Sequence, residues 1–229
     1  MMRKIIRGMV VIICIVIMMV TGHKTYDYLY QEEDCFDKLR TEGVELWKLH
    51  EKNKDIVGWI KIDGTRIDYP VMQRKGSPEY YLRRDFNRKH STAGTPFLQY
   101  DSIIGESKNY LIYGHNIKAG TMFHDLLKYE KKSFYNKHKV IHFETLSEGK
   151  NDYEVIAAFR TETYTFNYSN YGKITDEENY TKYKEMISKY NNLAVDEDIS
   201  YPDQLITLAT CSYHVGDGCG RYLLIGKRI

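Results

Sequence analysis

The sequence predicts a mostly β domain whose strands close into a barrel. An Asp63-Gly64 turn lies between two alternating apolar runs at residues 56–72, which is the pattern of a β-hairpin. A glycine-broken loop separates two further apolar runs, QLITLAT at residues 204–210 and RYLLIGK at residues 221–227. The remaining apolar runs are too irregularly spaced for a simple meander, so we expect a closed barrel.

The other elements follow in chain order. Alternating patterns predict further strands at residues 94–100, 109–113, 140–145 and 153–163. A short helix is predicted at residues 122–129. A longer helix is predicted from Glu177 to Tyr190, because Thr175 or Asp176 can cap its start and Glu177 and Glu178 fall in its first turn.

The first 22 residues predict a membrane segment. Arg3, Lys4 and Arg7 precede an apolar run, residues 8–22, that contains no charged side chain. Fifteen helical residues span ~22 Å, which is short of the ~30 Å hydrocarbon core unless Ile5 and Ile6 extend the run. This length fits a signal peptide or a short signal anchor, and we favour the anchor because no clear small-residue cleavage site follows. Cations before the run predict a cytoplasmic N terminus with the rest of the chain outside.

Residues 23–53 predict a helical segment, since apolar residues recur at offsets of three or seven on either side of Gly43. The sequence therefore predicts three regions: an N-terminal membrane anchor at 1–22, helices at 23–53 and a catalytic barrel domain at 54–229.

The bulk composition is that of an ordinary globular protein, with 42% hydrophobic and 28% charged residues, which argues against disorder. The net charge of +2 depends on the three cations before the apolar run. The rest of the chain carries 30 basic against 31 acidic side chains. The charge balance therefore gives no argument for nucleic acid as a partner.

Two of the four cysteines lie in the predicted body, Cys211 and Cys219. Four scattered cysteines in a chain this long do not form a disulfide framework. Cys211 ends one predicted strand and Arg221 begins the next, so the two meet at the same end of a sheet. A nearby guanidinium can favour the thiolate and can hold an oxyanion formed when that thiolate attacks a carbonyl. The alternative is a buried, inert cysteine beside a surface arginine.

A cysteine nucleophile needs a proton donor for its leaving group, usually histidine. His115 follows an apolar strand and is flanked by Gly114 and Asn116, which makes it the best candidate in the sequence. His214 is the competitor, because Cys211, His214 and Cys219 have the spacing C-x2-H-x4-C. This would supply three metal ligands, but structural zinc sites usually need four in two clusters, and we predict no metal site.

These motifs together resemble the sortase transpeptidases of Gram-positive bacteria. TLATC at residues 207–211 matches the family's TLxTC pattern, and the family's catalytic His and Arg fall on His115 and Arg221. VGWIKIDGTRIDYPV, YYLRRDF and GTPFLQYDS match as well, so the resemblance covers nearly the whole body. The helices before the barrel, and a helix before the cysteine strand, resemble the class B branch.

The resemblance implies a closed eight-stranded barrel and a reaction without metal or cofactor. Cys211 would attack the carbonyl of a Thr in a C-terminal sorting signal, and Arg221 would hold the oxyanion or position the substrate. His115 would protonate the departing amine and then deprotonate the incoming amine that resolves the thioacyl enzyme. Leu82 and Thr210 would line the peptide groove. Cys219 departs from the family pattern and leaves open an oxidised, inactive form bridged to Cys211.

The implied partners are surface proteins with a C-terminal sorting signal and an amine of a peptidoglycan precursor, with membrane lipid around the N-terminal segment. A pilin polymerase that uses a lysine acceptor is an alternative. A secreted cysteine peptidase or amidase is less favoured, because such enzymes commonly orient their histidine with a third polar group, whereas here arginine is the third member. A non-catalytic surface-binding module is the alternative from a different class.

Overall fold

The computed structural model describes residues 2–41, 45–193 and 198–229. The chain divides into two compact units, Met1–Gly43 and Val44–Ile229.

In the first unit one helix, α1, runs from Met2 to Thr41. Within the described residues, its segment Ile6–Lys24 is the one candidate membrane span, with a mean hydropathy of 2.1 and no buried side chains in that window. A signal sequence has the same length and composition, so the helix is consistent with both sequence interpretations. No break in α1 marks the boundary expected after residue 22, and the division of the chain into three regions stays a prediction.

The second unit is a closed barrel, as the sequence predicts. The described residues contain eight strands: β1 Ile56–Lys61, β2 Asp68–Met72, β3 Phe97–Leu98, β4 Asn109–Tyr113, β5 Val140–Thr145, β6 Gly149–Glu162, β7 Leu205–Cys211 and β8 Gly220–Arg228. Their order around the barrel is β1-β2-β3-β4-β7-β8-β6-β5, and β1 pairs with β5 to close it. The predicted strand 109–113, the predicted strand 140–145 and the β1–β2 hairpin are confirmed.

Helices and 3₁₀ turns fill the connections. The α-helices are α2 Leu46–Lys52, α3 Lys132–Tyr135 and α4 Glu177–Tyr190, and 3₁₀ turns lie at Tyr80–Arg83, His124–Glu130 and Tyr168–Tyr171. The helix expected at residues 122–129 is the 3₁₀ turn His124–Glu130. This turn begins later than expected because Met122 has a φ of 56°. The strand expected at 94–100 shortens to β3, because Gly94 has a φ of 63° and Pro96 has no N–H to donate to a ladder.

Helix α4 packs against the strand that carries the cysteine. Asp176 caps its start by accepting a hydrogen bond from the Asn179 N–H at 2.9 Å, which confirms one of the two predicted caps. Tyr180, Tyr183 and Ile187 bury their side chains in a core cluster shared with β6, β7 and β8. The hydroxyls of Tyr183 and Thr207 are 2.6 Å apart. This buried contact fixes the inner part of β7, upstream of Cys211 on the same strand.

Candidate active site

The cysteine and the histidine are brought together by a parallel strand pair. Tyr113 at the end of β4 is in register with Ala209 in β7. His115 lies two positions after Tyr113, and Cys211 lies two positions after Ala209. Because the two strands are parallel, His115 and Cys211 lie at the same end of the sheet. They are far apart in sequence, and the connection between the two strands is long, as a parallel pair requires.

The cysteine and the arginine are brought together by an antiparallel pair. Cys211 lies directly opposite Arg221 in the β7–β8 ladder. Directly opposed residues have Cβ atoms about 4.5–5.5 Å apart and face the same side of the sheet. Nη1 of Arg221 also donates to the carbonyls of Gly218 and Gly220, at 2.8 and 2.9 Å. The loop backbone therefore orients the guanidinium beside the thiol.

The ring of His115 is fixed by the 3₁₀ turn at Tyr80–Arg83. Its Nε2 lies 2.9 Å from the main-chain oxygen of Leu82. Gly94 packs against this turn with a φ of 63°, and a Cβ at that position would overlap the Leu82 oxygen. Glycine at position 94 is thus required both by the backbone angle and by the close approach of the carbonyl.

Asn116 joins the histidine loop to the cysteine strand. Its Nδ2 donates to the carbonyl of Cys211 at 2.8 Å, and its Oδ1 lies 2.7 Å from Nδ1 of His124. The side chain of Thr210 makes a second link, because its hydroxyl donates to the carbonyl of Gly114 at 2.7 Å. Two hydrogen bonds therefore set the position of the His115 backbone relative to Cys211.

A cleft of about 840 Å3 opens over these residues. All five of the site residues predicted from sequence line it: Leu82, His115, Thr210, Cys211 and Arg221. The hydroxyl of Thr210 is engaged with the carbonyl of Gly114, and the residue also lines the cleft. The volume is in the range of clefts that hold a short peptide or a drug-sized ligand.

The sequence reasoning missed the other residues that line the cleft, and Gln99, Tyr113 and Tyr168 are among them. The Tyr113 hydroxyl donates to Oε1 of Gln99 at 2.5 Å, and Nε2 of Gln99 donates to the carbonyl of Ser169 at 2.7 Å. The amide of Gln99 therefore joins β3, β4 and the turn at Tyr168–Tyr171 into one wall. Gln99 lies within GTPFLQYDS, one of the stretches that match the family. That match was the only sequence signal for this residue, because no local pattern indicates that its amide connects the strands.

The pKa of Tyr168 is affected by both the arginine and the cysteine of the site. Burial raises its pKa, the guanidinium of Arg221 lowers it through charge and a hydrogen bond, and a Cys211 thiolate raises it. Burial also raises the pKa of Tyr113. Both phenols are therefore neutral at physiological pH, and they present hydroxyl dipoles rather than charges to the cleft.

In the loop that carries the alternative metal motif, His214 makes two side-chain hydrogen bonds. Their partners are Ser212 and Glu162. Cys211 and Cys219 are both free thiols. Among residues 2–41, 45–193 and 198–229, no group of three or more His, Cys, Asp or Glu side chains is arranged to hold a metal ion.

A closed barrel whose cleft presents a thiol beside an imidazole and a guanidinium has the architecture of a cysteine transpeptidase. The family model of the sortase domain matches residues 60–229. The chain belongs to the sortase family, and it is a sortase-type cysteine transpeptidase.

Several proteins similar to this chain are sortases B. Sortase B of Staphylococcus aureus (strain NCTC 8325 / PS 47) is 33% identical over 237 residues, which cover 95% of this chain and 94% of that protein. A solved Staphylococcus aureus sortase B-substrate complex has a TM-score of 0.72 at 30% identity, covering 92% of this chain and 98% of that one. A sortase B complexed with triglycine has a TM-score of 0.72 at 29% identity, with 91% and 98% covered. The eight-stranded barrel expected from the resemblance is confirmed.

Proposed function

We propose that this protein cleaves the C-terminal sorting signal of surface proteins after a threonine and transfers them to an amine of the cell wall. The observation that carries the proposal is the meeting of three side chains in one cleft. Cys211 is opposite Arg221 in one ladder, and His115 leaves the neighbouring parallel strand at the same edge. A nucleophile, a proton carrier and an oxyanion donor are what acyl transfer requires.

In the first half of the reaction, the Cys211 thiolate attacks the threonine carbonyl. The carbonyl electron pair moves onto oxygen, and the guanidinium of Arg221 donates hydrogen bonds to that oxyanion or to the adjacent peptide carbonyl. When the oxyanion collapses, the C–N bond breaks and His115 gives its proton to the departing amine. The product is a thioester between Cys211 and the threonine of the surface protein.

In the second half, an acceptor amine attacks the thioester. His115, now neutral, takes a proton from the attacking nitrogen, the C–S bond breaks, and the Cys211 thiolate is released. The sortase B complexed with triglycine supports a terminal glycine amine as the acceptor, in preference to a lysine of a pilin subunit. The sortase B-substrate complex supports a sorting signal as the donor. Leu82, which lines the cleft, would contact the peptide.

The chain would act at the outer face of the cell membrane. The segment Ile6–Lys24 of α1 is long enough to serve as an anchor; Arg3 and Lys4 precede it, and Arg7 lies in its first turn. Positive residues hold that end in the cytoplasm, which leaves the barrel outside, where surface proteins and the cell wall meet.

Mass spectrometry of the full chain in detergent micelles tests this function. The protein is mixed with a panel of Asn-Pro-x-Thr and Leu-Pro-x-Thr peptides, each extended past the threonine, with triglycine, with lysine or without acceptor. We expect an acyl-enzyme on Cys211 and a threonine–glycine product. Cys211→Ser should form neither, and His115→Ala should lower turnover by a factor on the order of 100 or more. Hydrolysis alone, unchanged by triglycine, would identify a peptidase instead.

A further inference from the structure

A row of three residues crosses the strands just beyond the candidate nucleophile. The Ser212 N–H donates to the carbonyl of Gly220 at 3.1 Å, and Gly220 is paired with Glu162 across the β8–β6 ladder. The adjacent row is Cys211, Arg221 and Thr161. Because side chains alternate along a strand, Ser212 and Glu162 project from the face opposite to Cys211 and Arg221.

The imidazole of His214 spans this row. Its Nδ1 is hydrogen-bonded to the Ser212 hydroxyl, and its Nε2 lies 3.0 Å from a carboxylate oxygen of Glu162. A neutral ring satisfies both bonds, since Ser212 can donate to Nδ1 while the Nε2 hydrogen is donated to the carboxylate. The hydrogen bond from His214 lowers the pKa of Glu162, so that carboxyl is ionised. The ring ties the end of β7 to the end of β6.

Gly220 makes room for the ring, because β8 lies between the two strands that the ring connects. A Cβ on Gly220 would lie 2.7 Å from Nδ1 of His214 and 3.0 Å from Oγ of Ser212. The φ of Gly220 is outside the left-handed range, so the requirement for glycine here is one of space. The imidazole therefore rests directly on the backbone of the residue that precedes Arg221.

The backbone under the ring also holds the guanidinium. Nη1 of Arg221 donates to the carbonyls of Gly218 and Gly220. The carbonyl of Ser212 accepts a hydrogen bond from Nη1 of Arg160 at 3.2 Å, and Arg160 is paired with Glu130. A change in the loop between β7 and β8 would therefore move the two carbonyls that orient Arg221.

We propose that His214 is a positioning residue for the transpeptidation step, which acts by holding the backbone of Gly220 where its carbonyl orients Arg221. The inference rests on the proposed role of Arg221. His214 touches neither a substrate nor the reacting atoms in this arrangement. It acts from the opposite face of the sheet through one glycine.

The first experiment separates positioning from a general structural role, and it uses the full chain in detergent. His214→Ala should lower kcat for the sorting peptide about 10-fold, because a displacement of less than about 1 Å is enough to cost this much, while KM changes less than about 2-fold. His214→Gln should retain most of the activity, because a side-chain amide can donate to Glu162 and accept from Ser212. Alkylation of Cys211 by a small reagent should keep its rate in both variants.

His142 offers a matched control. Its Nδ1 is hydrogen-bonded to Asp152 at 2.7 Å on β5 and β6, away from the residues that line the cleft. His142→Ala removes an imidazole from a comparable carboxylate without touching the β7–β8 loop, and kcat should stay within about 2-fold of that of the unmodified protein. Loss of activity in this variant equal to that of His214→Ala would overturn the positioning role.

The second experiment asks whether His214 acts through Arg221. If it does, adding His214→Ala to Arg221→Lys should change kcat by less than about 2-fold, because the guanidinium that His214 helps to orient has already been removed. Equal losses in both backgrounds would overturn the inference and leave the proposed function intact. If Arg221→Lys by itself has near-normal turnover, the donor role of Arg221 is wrong and the inference fails with it.

Discussion

The Nε2 atom of His115 lies 2.9 Å from the main-chain oxygen of Leu82. A carbonyl oxygen has no hydrogen to donate, so Nε2 carries the proton in this contact. The ring of the candidate proton carrier is thus oriented by a 3₁₀ turn that belongs to a different part of the barrel. The position of that turn should affect turnover, although none of its backbone atoms reacts.

Substitution of Gly94 tests the role of this turn. A Cβ at position 94 would overlap the Leu82 oxygen, and the φ of 63° adds strain. We expect Gly94→Ala to displace the carbonyl, to lower kcat about 10-fold and to destabilise the fold by about 1–3 kcal/mol. Peptide turnover and thermal melting measure the two effects.

Gly76 is the matched control for this substitution. Its φ is 78°, but a Cβ there would meet nothing within 4 Å. Gly76→Ala should therefore cost only the backbone strain, about 1 kcal/mol, and keep its turnover. Equal turnover in the two variants would mean that the turn does not position His115.

Arg221→Lys separates charge from geometry. Lysine keeps a positive charge near Cys211 but lacks the planar fork that can donate two hydrogen bonds. Turnover should fall by a factor on the order of 100 to 1000, the usual effect of losing one oxyanion donor. The rate of Cys211 alkylation by a small reagent should change far less, because that step generates no oxyanion. Near-normal peptide turnover would mean that Arg221 contributes only its positive charge or has a structural role.

Asn116→Asp removes one hydrogen bond while the shape of the side chain stays nearly constant. The Nδ2 that donates to the Cys211 carbonyl becomes a carboxylate oxygen, which repels the carbonyl and adds a negative charge next to the backbone of Cys211. A neighbouring negative charge disfavours the thiolate. Alkylation of Cys211 at neutral pH should therefore slow, and kcat should fall about 10-fold because the histidine loop loses one of its two links to β7. An unchanged alkylation rate would argue that Asn116 does not influence the nucleophile.

Asp125 links the turn at His124–Glu130 to the β1–β2 hairpin. Burial by itself would raise its pKa, but hydrogen bonds from Lys128 Nζ at 2.7 Å and from the Arg66 N–H at 3.0 Å outweigh it and lower the pKa. A carboxyl whose folded pKa is lowered contributes stability above its unfolded pKa of about 3.9, and that stability is lost as the pH falls through the folded pKa.

Asp125→Asn should therefore destabilise the fold at pH 7 by about 1.5–3 kcal/mol, the range for a hydrogen bond to a charged group. The difference from the unmodified protein should narrow as the pH is lowered below about 4, because the carboxyl then gains a proton first in the unfolded chain and, at lower pH, in the folded protein. Denaturant unfolding at several pH values measures this. A difference that stays constant over that range would mean that the charge of Asp125 does not contribute.

Protease added outside intact protoplasts tests the orientation of the chain. The cations before the apolar segment predict that the barrel lies outside and is digested. A protease-sensitive cytoplasmic protein, expressed in the same cells, controls for lysis because it is digested only if the membrane is broken. If the barrel is protected while the protoplasts remain intact, the outward orientation is wrong.

The sequence by itself determined the elements whose signals are local. Strand β4, strand β5 and helix α4 have the predicted bounds, because alternation, helical periodicity and an N-cap are all read within a few residues. The Cys211–Arg221 pair was predictable for the same reason, since a short glycine-rich loop between two apolar runs leaves little choice of register. The motif TLATC then pointed to the family.

Tertiary structure decided what depends on residues distant in the chain. The parallel register of Tyr113 with Ala209 places His115 beside Cys211, and no local pattern specifies which strands pair in parallel. Gln99 and His214 carried no periodic or cap signal, because their hydrogen bonds reach strands and turns that only folding brings near. Gly220 shows the difference most directly. In the sequence it is one of several glycines in a turn, whereas in the fold its missing side chain leaves the space that the His214 ring occupies.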